Sequence, residues 1–178
     1  MLKADKKYQF ELDTLLKVKT TLEQGKSART LDLTEEENLV VRDAFLLTMK
    51  PILYVANVSE DEASEPFNNE NVKKVVEFAK TEKAEVIGLS VKVEEELSGL
   101  DKDEEKEMLE MLGIDESGLN KLIKASYKLL GLMSFLTAGE PEVRAWTIEI
   151  GTKAPKAAGK IHSDIEDLLE QKLFHLMI

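Results

Sequence analysis

The chain has 178 residues, 43% hydrophobic and 33% charged, with a formal net charge of −11 and no cysteine. That length allows one ordinary domain or two small ones with a core, while the missing cysteines exclude a disulfide scaffold, a thiol nucleophile and cysteine-ligated zinc or iron–sulfur centres. The longest apolar stretches, 51–57 and 129–138, fall far short of the roughly 20 residues of a membrane helix, and the charged start MLKADKK has no apolar signal core, so a cytoplasmic protein without a membrane partner is expected.

Charge is unevenly spread. Residues 1–30 hold seven basic and four acidic groups, 31–120 nine and 24, and 121–178 eight and seven. The acidic middle repels nucleic acid, whereas 121–163, with seven basic groups against three acidic, tolerates it.

In chain order, Tyr8, Leu12, Leu15, Leu16 and Leu22 recur at helical spacing across 5–23, and Gly25 ends that helix. The other faces carry Lys6, Lys7, Glu11, Lys17, Lys19 and Glu23, so one stripe is made for burial and needs a partner, as in an antiparallel coiled-coil arm. A second helix opens at Thr34 with Glu37 at capping-box spacing and is expected to run to about Thr48. The continuous apolar run 51–58 predicts a strand buried on both faces. Pro66 keeps its neighbourhood out of helix. Asn69 or Asn71 then opens a helix through Val72, Val75, Val76, Phe78 and Ala79, and 85–91 predicts a second buried strand. Strand, helix and strand over this length make a parallel βαβ unit.

Two further helices are predicted. Residues 101–112 have Asp101 and Glu104 at capping-box spacing and Gly113 as a stop, and 117–130 place Leu119, Leu122, Ile123, Tyr127 and Leu130 on one face. Segments 132–138 and 142–148, joined by Gly139-Glu140-Pro141, read as an antiparallel hairpin in which Trp146 is a buried anchor. Residues 151–159 read as loop, and 161–178 as a terminal helix.

Little of the sequence points to catalysis. His162 and His175 stand in no zinc-binding spacing, so no metal site is expected. His162-Ser163-Asp164 holds the residue types of a triad, but adjacent residues cannot adopt its geometry, and no catalytic residue is assigned. Acidic runs at 35–37, 94–96 and 101–107 read as solvated helix starts and faces.

The informative place is the carboxyl edge of the two predicted strands, where parallel α/β sheets bind ligands. Asn57-Val58-Ser59-Glu60 ends the first strand, and Ser90-Val91-Lys92 ends the second, 33 residues later. P-loop GTPases hold the nucleotide base with an Asn-Lys-x-Asp and a Ser-Ala-Lys signature at these two positions. An Asn amide and a carboxylate there can read the donors and acceptors of a purine edge, while backbone amides of the second loop close the pocket.

Five segments carry a fuller resemblance: LYVANVSE (53–60), LGIDESGL (112–119), FLTAG (135–139), EVRAWTI (142–148) and GTKAPKAAGKIH (151–162). Through them 31–166 resembles the C-terminal half of YchF, the Obg-like ATPase family. The resemblance implies an α/β fold: a remnant of a P-loop NTPase parallel sheet with flanking helices and a coiled-coil-like N-terminal helix, followed by a truncated β-grasp (TGS) segment. It divides the chain into 1–30, the second helix of a coiled-coil arm; 31–133, the C-terminal part of a GTPase-like nucleotide-binding domain; 134–166, a partial TGS domain; and 167–178, a tail. Carried over, Asn57, Val58 and Glu60 would line the base of ATP or GTP, and Ser90, Val91 and Lys92 would close over it. Arg144, Lys153, Lys156 and Lys160 would face RNA or the ribosome.

Two departures qualify this. No Gly-x-x-x-x-Gly-Lys-Ser/Thr loop occurs, and the family places its phosphate-holding, Mg2+-holding and switch elements upstream of the segments matched here. Three or four hydrogen bonds to a base are worth about 0.5–1.5 kcal/mol each, against about 8 kcal/mol for micromolar affinity. The chain alone is therefore expected to bind nucleotide weakly and hydrolyse none. Second, codons can be chosen for DLLEQKLFHLMI (167–178) that, read one frame over, spell FIRAEVISFND, close to the family's Gly-Phe-Ile-Arg-Ala-Glu-Val continuation, so a frameshift after Glu166 is expected. The alternative to a nucleotide-binding fragment is a non-catalytic interaction module or a decayed gene product. Self-association is expected through an exposed sheet edge or the N-terminal helix.

Overall fold

The computed structural model describes residues 6–140 and 142–176, so Asp5 of the first predicted helix, Pro141 of the hairpin turn and the last two residues of the terminal helix lie outside the described residues. The chain divides into two compact units, Met1–Lys121 and Leu122–Ile178.

The first unit opens with α1, Lys6–Glu23. Its buried face is not the leucine stripe. Thr14, Val18 and Thr21, spaced four and three apart, turn inward, and Val18 packs with Ala28 and Val41 against Leu31, Leu33, Leu46 and Met49. The two threonines can be buried because each hydroxyl donates to a carbonyl one turn back, Thr14 to Phe10 at 2.9 Å and Thr21 to Lys17 at 3.1 Å. Tyr8, Leu12, Leu15, Leu16 and Leu22 are left on the outside.

Helix α2, Glu35–Arg42, is capped as expected: the Glu37 amide donates to Thr34 Oγ1 (3.2 Å), and the Thr34 amide to Glu37 (2.8 Å). It stops six residues before the expected Thr48. The Phe45 amide bonds back to Arg42, and Phe45 itself adopts a left-handed backbone, φ 48°, which breaks the helical path.

Next come β1 (Leu53–Asn57), α3 (Glu70–Thr81) and β2 (Glu85–Leu89). The strands pair in parallel from Leu53 opposite Glu85 to Asn57 opposite Leu89, and α3 is the crossover. Asn69 caps α3 by accepting from the Asn71 and Val72 amides. β1 is not buried on both faces, since Val55 is exposed. Pro66 opens a 3-10 turn, Pro66–Asn68, rather than only barring helix, because proline is tolerated in a first turn. This turn lies flat on β2: a Cβ on Gly88 would sit 2.5 Å from Pro66 Cβ.

At the far end of α3, the buried Glu82 carboxylate gathers three groups. The Ser27 hydroxyl donates to it, Tyr54 OH donates at 2.5 Å, and Arg29 Nη1 donates at 3.2 Å while Arg29 Nε donates to the Lys50 carbonyl. Hydrogen bonds from Ser27 and Tyr54, and the Arg29 charge, hold the Glu82 carboxyl below its ordinary range. Glu82 in turn pushes the Tyr54 phenol up. The rest of the unit is α4 (Val91–Leu97), which the sequence reading did not anticipate, α5 (Lys102–Leu112) and the start of α6 (Gly118–Leu129). Val93 and Leu97 of α4 meet Ala63, Met108, Leu109, Leu112 and Ile114 in a second core.

The second unit contains the predicted hairpin, β3 (Leu132–Ala138) antiparallel to β4 (Val143–Glu149), with Phe135 opposite Trp146. Residues 154–159, expected as loop, form the short helix α7, Ala154–Gly159, with Pro155 in its permissive first turn. Helix α8 is Ser163–Leu176.

Two outcomes test this packing. Gly88→Ala forces Pro66 away and lowers stability by about 1–3 kcal/mol in urea denaturation. The Glu82 carboxyl, depressed in the folded state, contributes stability above its ordinary value and loses it as pH falls through the depressed one. The urea midpoint therefore drops as pH falls below the ordinary carboxylate range, and Glu82→Gln flattens that drop; an unchanged slope would contradict the network.

Candidate functional site

Parallel pairing places the carboxyl ends of β1 and β2 side by side. The ladder continues one residue beyond β1, with the Val58 amide donating to the Leu89 carbonyl at 2.9 Å. Past it the two predicted loops touch. The Val91 amide donates to Asn57 Oδ1 at 3.0 Å, and Lys92 Nζ lies 2.5 Å from Glu60 Oε2. Asn57, Val91 and Lys92 are exposed, Glu60 is half-buried, and Val58 and Ser90 are buried. All six residues singled out in the sequence thus lie along one edge of the sheet.

Each is held locally. Glu60 begins a 3-10 turn, Glu60–Glu62, capped by Ser59, whose amide and hydroxyl both donate to Glu62. Glu62 also accepts from Asn69 Nδ2 at 2.7 Å, which ties this loop to the start of α3. These bonds, with Asn69 and Ser59 foremost, hold the Glu62 carboxyl below its ordinary range. On the other side Ser90 begins α4 without capping it. Among the described residues Ser90 Oγ is the one buried side-chain polar atom with no hydrogen-bond partner. Glu60 raises the Lys92 ammonium above the usual lysine value, yet both side chains meet solvent, so the pair adds little stability and can exchange for another partner.

Within the acidic run 94–96, expected as a solvated helix start or face, Glu95 and Glu96 are exposed but Glu94 is half-buried. The Glu94 carboxylate instead accepts from the Gly118 amide (2.6 Å) and the Leu119 amide (2.9 Å), satisfying the first turn of α6. Gly118 is required there, because a Cβ would lie 2.6 Å from Leu89 Cβ and 2.9 Å from Glu94 Oε1. Asp115-Glu116-Ser117-Gly118 also spells the bare Asp-x-x-Gly pattern of a nucleotide switch. Its glycine is used in this cap. The signal available in the sequence was Ser117-Gly118 before an apolar helix, a start in need of a side-chain acceptor.

The basic candidates lie in the second unit. Arg144 stacks its guanidinium 4.3 Å from the centre of the Trp146 ring, and Trp146 Nε1 donates to Thr137 Oγ1 at 2.9 Å. Trp146 is half-buried rather than a buried anchor. Lys153, Lys156 and Lys160 are exposed on α7 and its flanks. Lys156 and Lys160 line a cavity of about 470 Å³ that also holds Glu149 and Glu166; Lys153 and Arg144 are not in its lining. Among the described residues no group of three His, Asp or Glu side chains is placed to hold a metal ion, and no helix is long and apolar enough to cross a membrane.

Comparison with known proteins agrees with this architecture. The family YchF-GTPase_C, described as a protein of unknown function (DUF933), matches residues 132–171. The ribosome-binding ATPase YchF of Bacillus subtilis is 55% identical over 162 residues, which is 91% of this chain and 44% of that protein. Its Escherichia coli O157:H7 counterpart is 44% identical over the same shares. The solved structure of the Schizosaccharomyces pombe YchF GTPase superposes with a TM-score of 0.80 at 34% identity, covering 92% of this chain and 43% of that one. The chain spans less than half the length of the curated relatives it matches. Over about nine-tenths of its length the chain is therefore similar to YchF, with which it shares an α/β fold with a small parallel sheet, and its residues 132–171 match the family model for the C-terminal part of that GTPase.

Proposed function

We propose that this chain carries the base-recognition part of a purine-nucleotide site, with Asn57, Val58 and Glu60 along the base and Ser90, Val91 and Lys92 closing over it. The observation that carries the reading is the bond from the Val91 amide to Asn57 Oδ1, which clamps the two strand-end loops together. With its carbonyl used this way, Asn57 keeps Nδ2 to donate to a ring nitrogen or carbonyl of the base. Glu60 is the carboxylate at the mouth, and the exposed Lys92 pair can open to admit a ligand. The family's nucleotide supports ATP or GTP as the ligand, since the bacterial relatives are named ATPases and the yeast structure a GTPase. Magnesium would accompany the phosphates, and neither has a motif here to hold it.

The remaining assignments are proposals of the same kind. Residues 31–133 are read as the end of the nucleotide-binding domain, 1–30 as one helix of an arm, 134–166 as part of a TGS domain and 167–178 as an out-of-frame tail. Ribosome binding, named for the bacterial relatives, is assigned to Arg144, Lys153, Lys156 and Lys160, where positive charge is concentrated. A second copy of the chain is a further partner, through α1 or an edge of the β1–β2 pair.

Calorimetric titration with ATP and with GTP tests the site. The reading predicts a dissociation constant weaker than about 100 μM, because base contacts alone supply only a few kcal/mol. Asn57→Ala is expected to abolish the heat and to speed hydrogen exchange at the Val91 amide. Micromolar binding, or binding indifferent to Asn57→Ala, would refute it.

A further inference from the structure

We propose that Glu94 is the positioning residue of the base site: by binding the start of α6 it fixes the orientation of the Ser90–Lys92 loop. The ligand rests on the purine-site reading above, whereas the loop's orientation can be measured without ligand, so either can fail without the other. The loop has little of its own to hold it. Helix α4, which it opens, has seven residues, below the length at which an isolated helix persists in water. Ser90 makes no side-chain cap to it, and Ser90 Oγ is buried without a hydrogen-bond partner. The bond from the Val91 amide to Asn57 Oδ1 fixes one point. A second fixed point is needed to set the angle at which that amide and its neighbours face a base.

Glu94 supplies it. Its amide donates to the Ser90 carbonyl at 3.1 Å, so its backbone lies one helical turn from the loop. Its carboxylate oxygens are divided between two amides of a different helix: Oε1 accepts from Gly118 at 2.6 Å and Oε2 from Leu119 at 2.9 Å. Two such bonds fix a carboxylate's orientation as one bond cannot. The residue before Ser90 meets the same place, because a Cβ on Gly118 would lie 2.6 Å from Leu89 Cβ and 3.1 Å from Leu89 Cδ2. Ser90 is therefore bracketed by Leu89 and Glu94, both held at Gly118. The rest of that first turn is satisfied differently: the Asn120 amide donates to Ser117 Oγ at 3.3 Å, and the Lys121 amide to the Ser117 carbonyl at 3.1 Å. Ser117 thus caps α6 from its own segment, whereas Glu94 joins α6 to α4. That difference separates a helix cap from a positioning contact by experiment.

Amide hydrogen exchange of the 15N-labelled chain, without ligand, makes the distinction. Glu94→Ala is expected to speed exchange at Gly118 and Leu119 and, about tenfold, at the Val91 amide as its bond to Asn57 loosens. Ser117→Ala speeds exchange at Asn120 and leaves Val91 as it was. Glu94→Gln, which keeps one acceptor oxygen, retains part of the Val91 protection and carries the comparison if Glu94→Ala does not fold. Unchanged Val91 exchange in the Glu94 variants, or an equal loss of protection in Ser117→Ala, would overturn the positioning role. In an amide-shift titration with ATP, Glu94→Ala is expected to weaken binding about tenfold while Ser117→Ala leaves it unchanged. Equal ATP affinity in the unaltered chain and Glu94→Ala also overturns the role. The absence of any ATP-induced shift in the unaltered chain counts against the purine site instead, and the exchange result then decides the part played by Glu94.

Discussion

Parallel pairing of Leu53–Asn57 with Glu85–Leu89 is the constraint on which the first unit depends. Two parallel neighbours cannot be joined by a tight turn, so the chain must cross over, and α3 is that crossover. One consequence appears at each end of the sheet. At the carboxyl end Asn57 and Val91 come within a hydrogen bond of each other despite lying 34 residues apart. At the return of α3 Glu82 meets Tyr54 from β1 and Ser27 and Arg29 from the segment after α1. The first junction creates the proposed site, and the second fastens the N-terminal helices to the sheet.

The Glu82 junction shows why a buried carboxylate need not be a catalytic group. Its partners are two hydroxyls and a guanidinium, all donors, which together satisfy the charge that burial would otherwise penalise. The depressed carboxyl and the raised Tyr54 phenol are two sides of one stabilised ion. Leu89, Glu94 and Gly118 perform an analogous task beside the proposed site: a close approach that only glycine permits brings the first amides of α6 onto a carboxylate of α4. Movement of the Ser90–Lys92 loop would therefore be felt at the start of α6.

Much of this was legible in the sequence. The βαβ unit followed from two apolar runs around an amphipathic helix, and the caps at Thr34 and Asp101 followed from their glutamates three residues on. What escaped were interactions with no local signature. The inner face of α1 is built on Thr14 and Thr21, which look polar until their hydroxyls are returned to the helix backbone, so the leucines drew attention to the wrong side. Phe45 ends α2 through a left-handed backbone that no residue-type rule assigns to phenylalanine. Helix α4 is seven residues long, too short to show a period, and Glu94 differs from Glu95 and Glu96 only in what folds against it. In the proposed site, the six residues and their shared edge were legible, whereas the Asn57–Val91 clamp and the Glu60–Lys92 pair required the register.

The account turns on whether those two loops together receive a purine base. The most direct measurement is an amide chemical-shift titration of the 15N-labelled chain with ATP up to millimolar concentration. The account predicts saturable shifts confined to Asn57–Glu60 and Ser90–Lys92 and their immediate contacts, with the α1 and β3–β4 amides unmoved. Shifts centred on the basic residues of α7, or none at millimolar ATP, would contradict it.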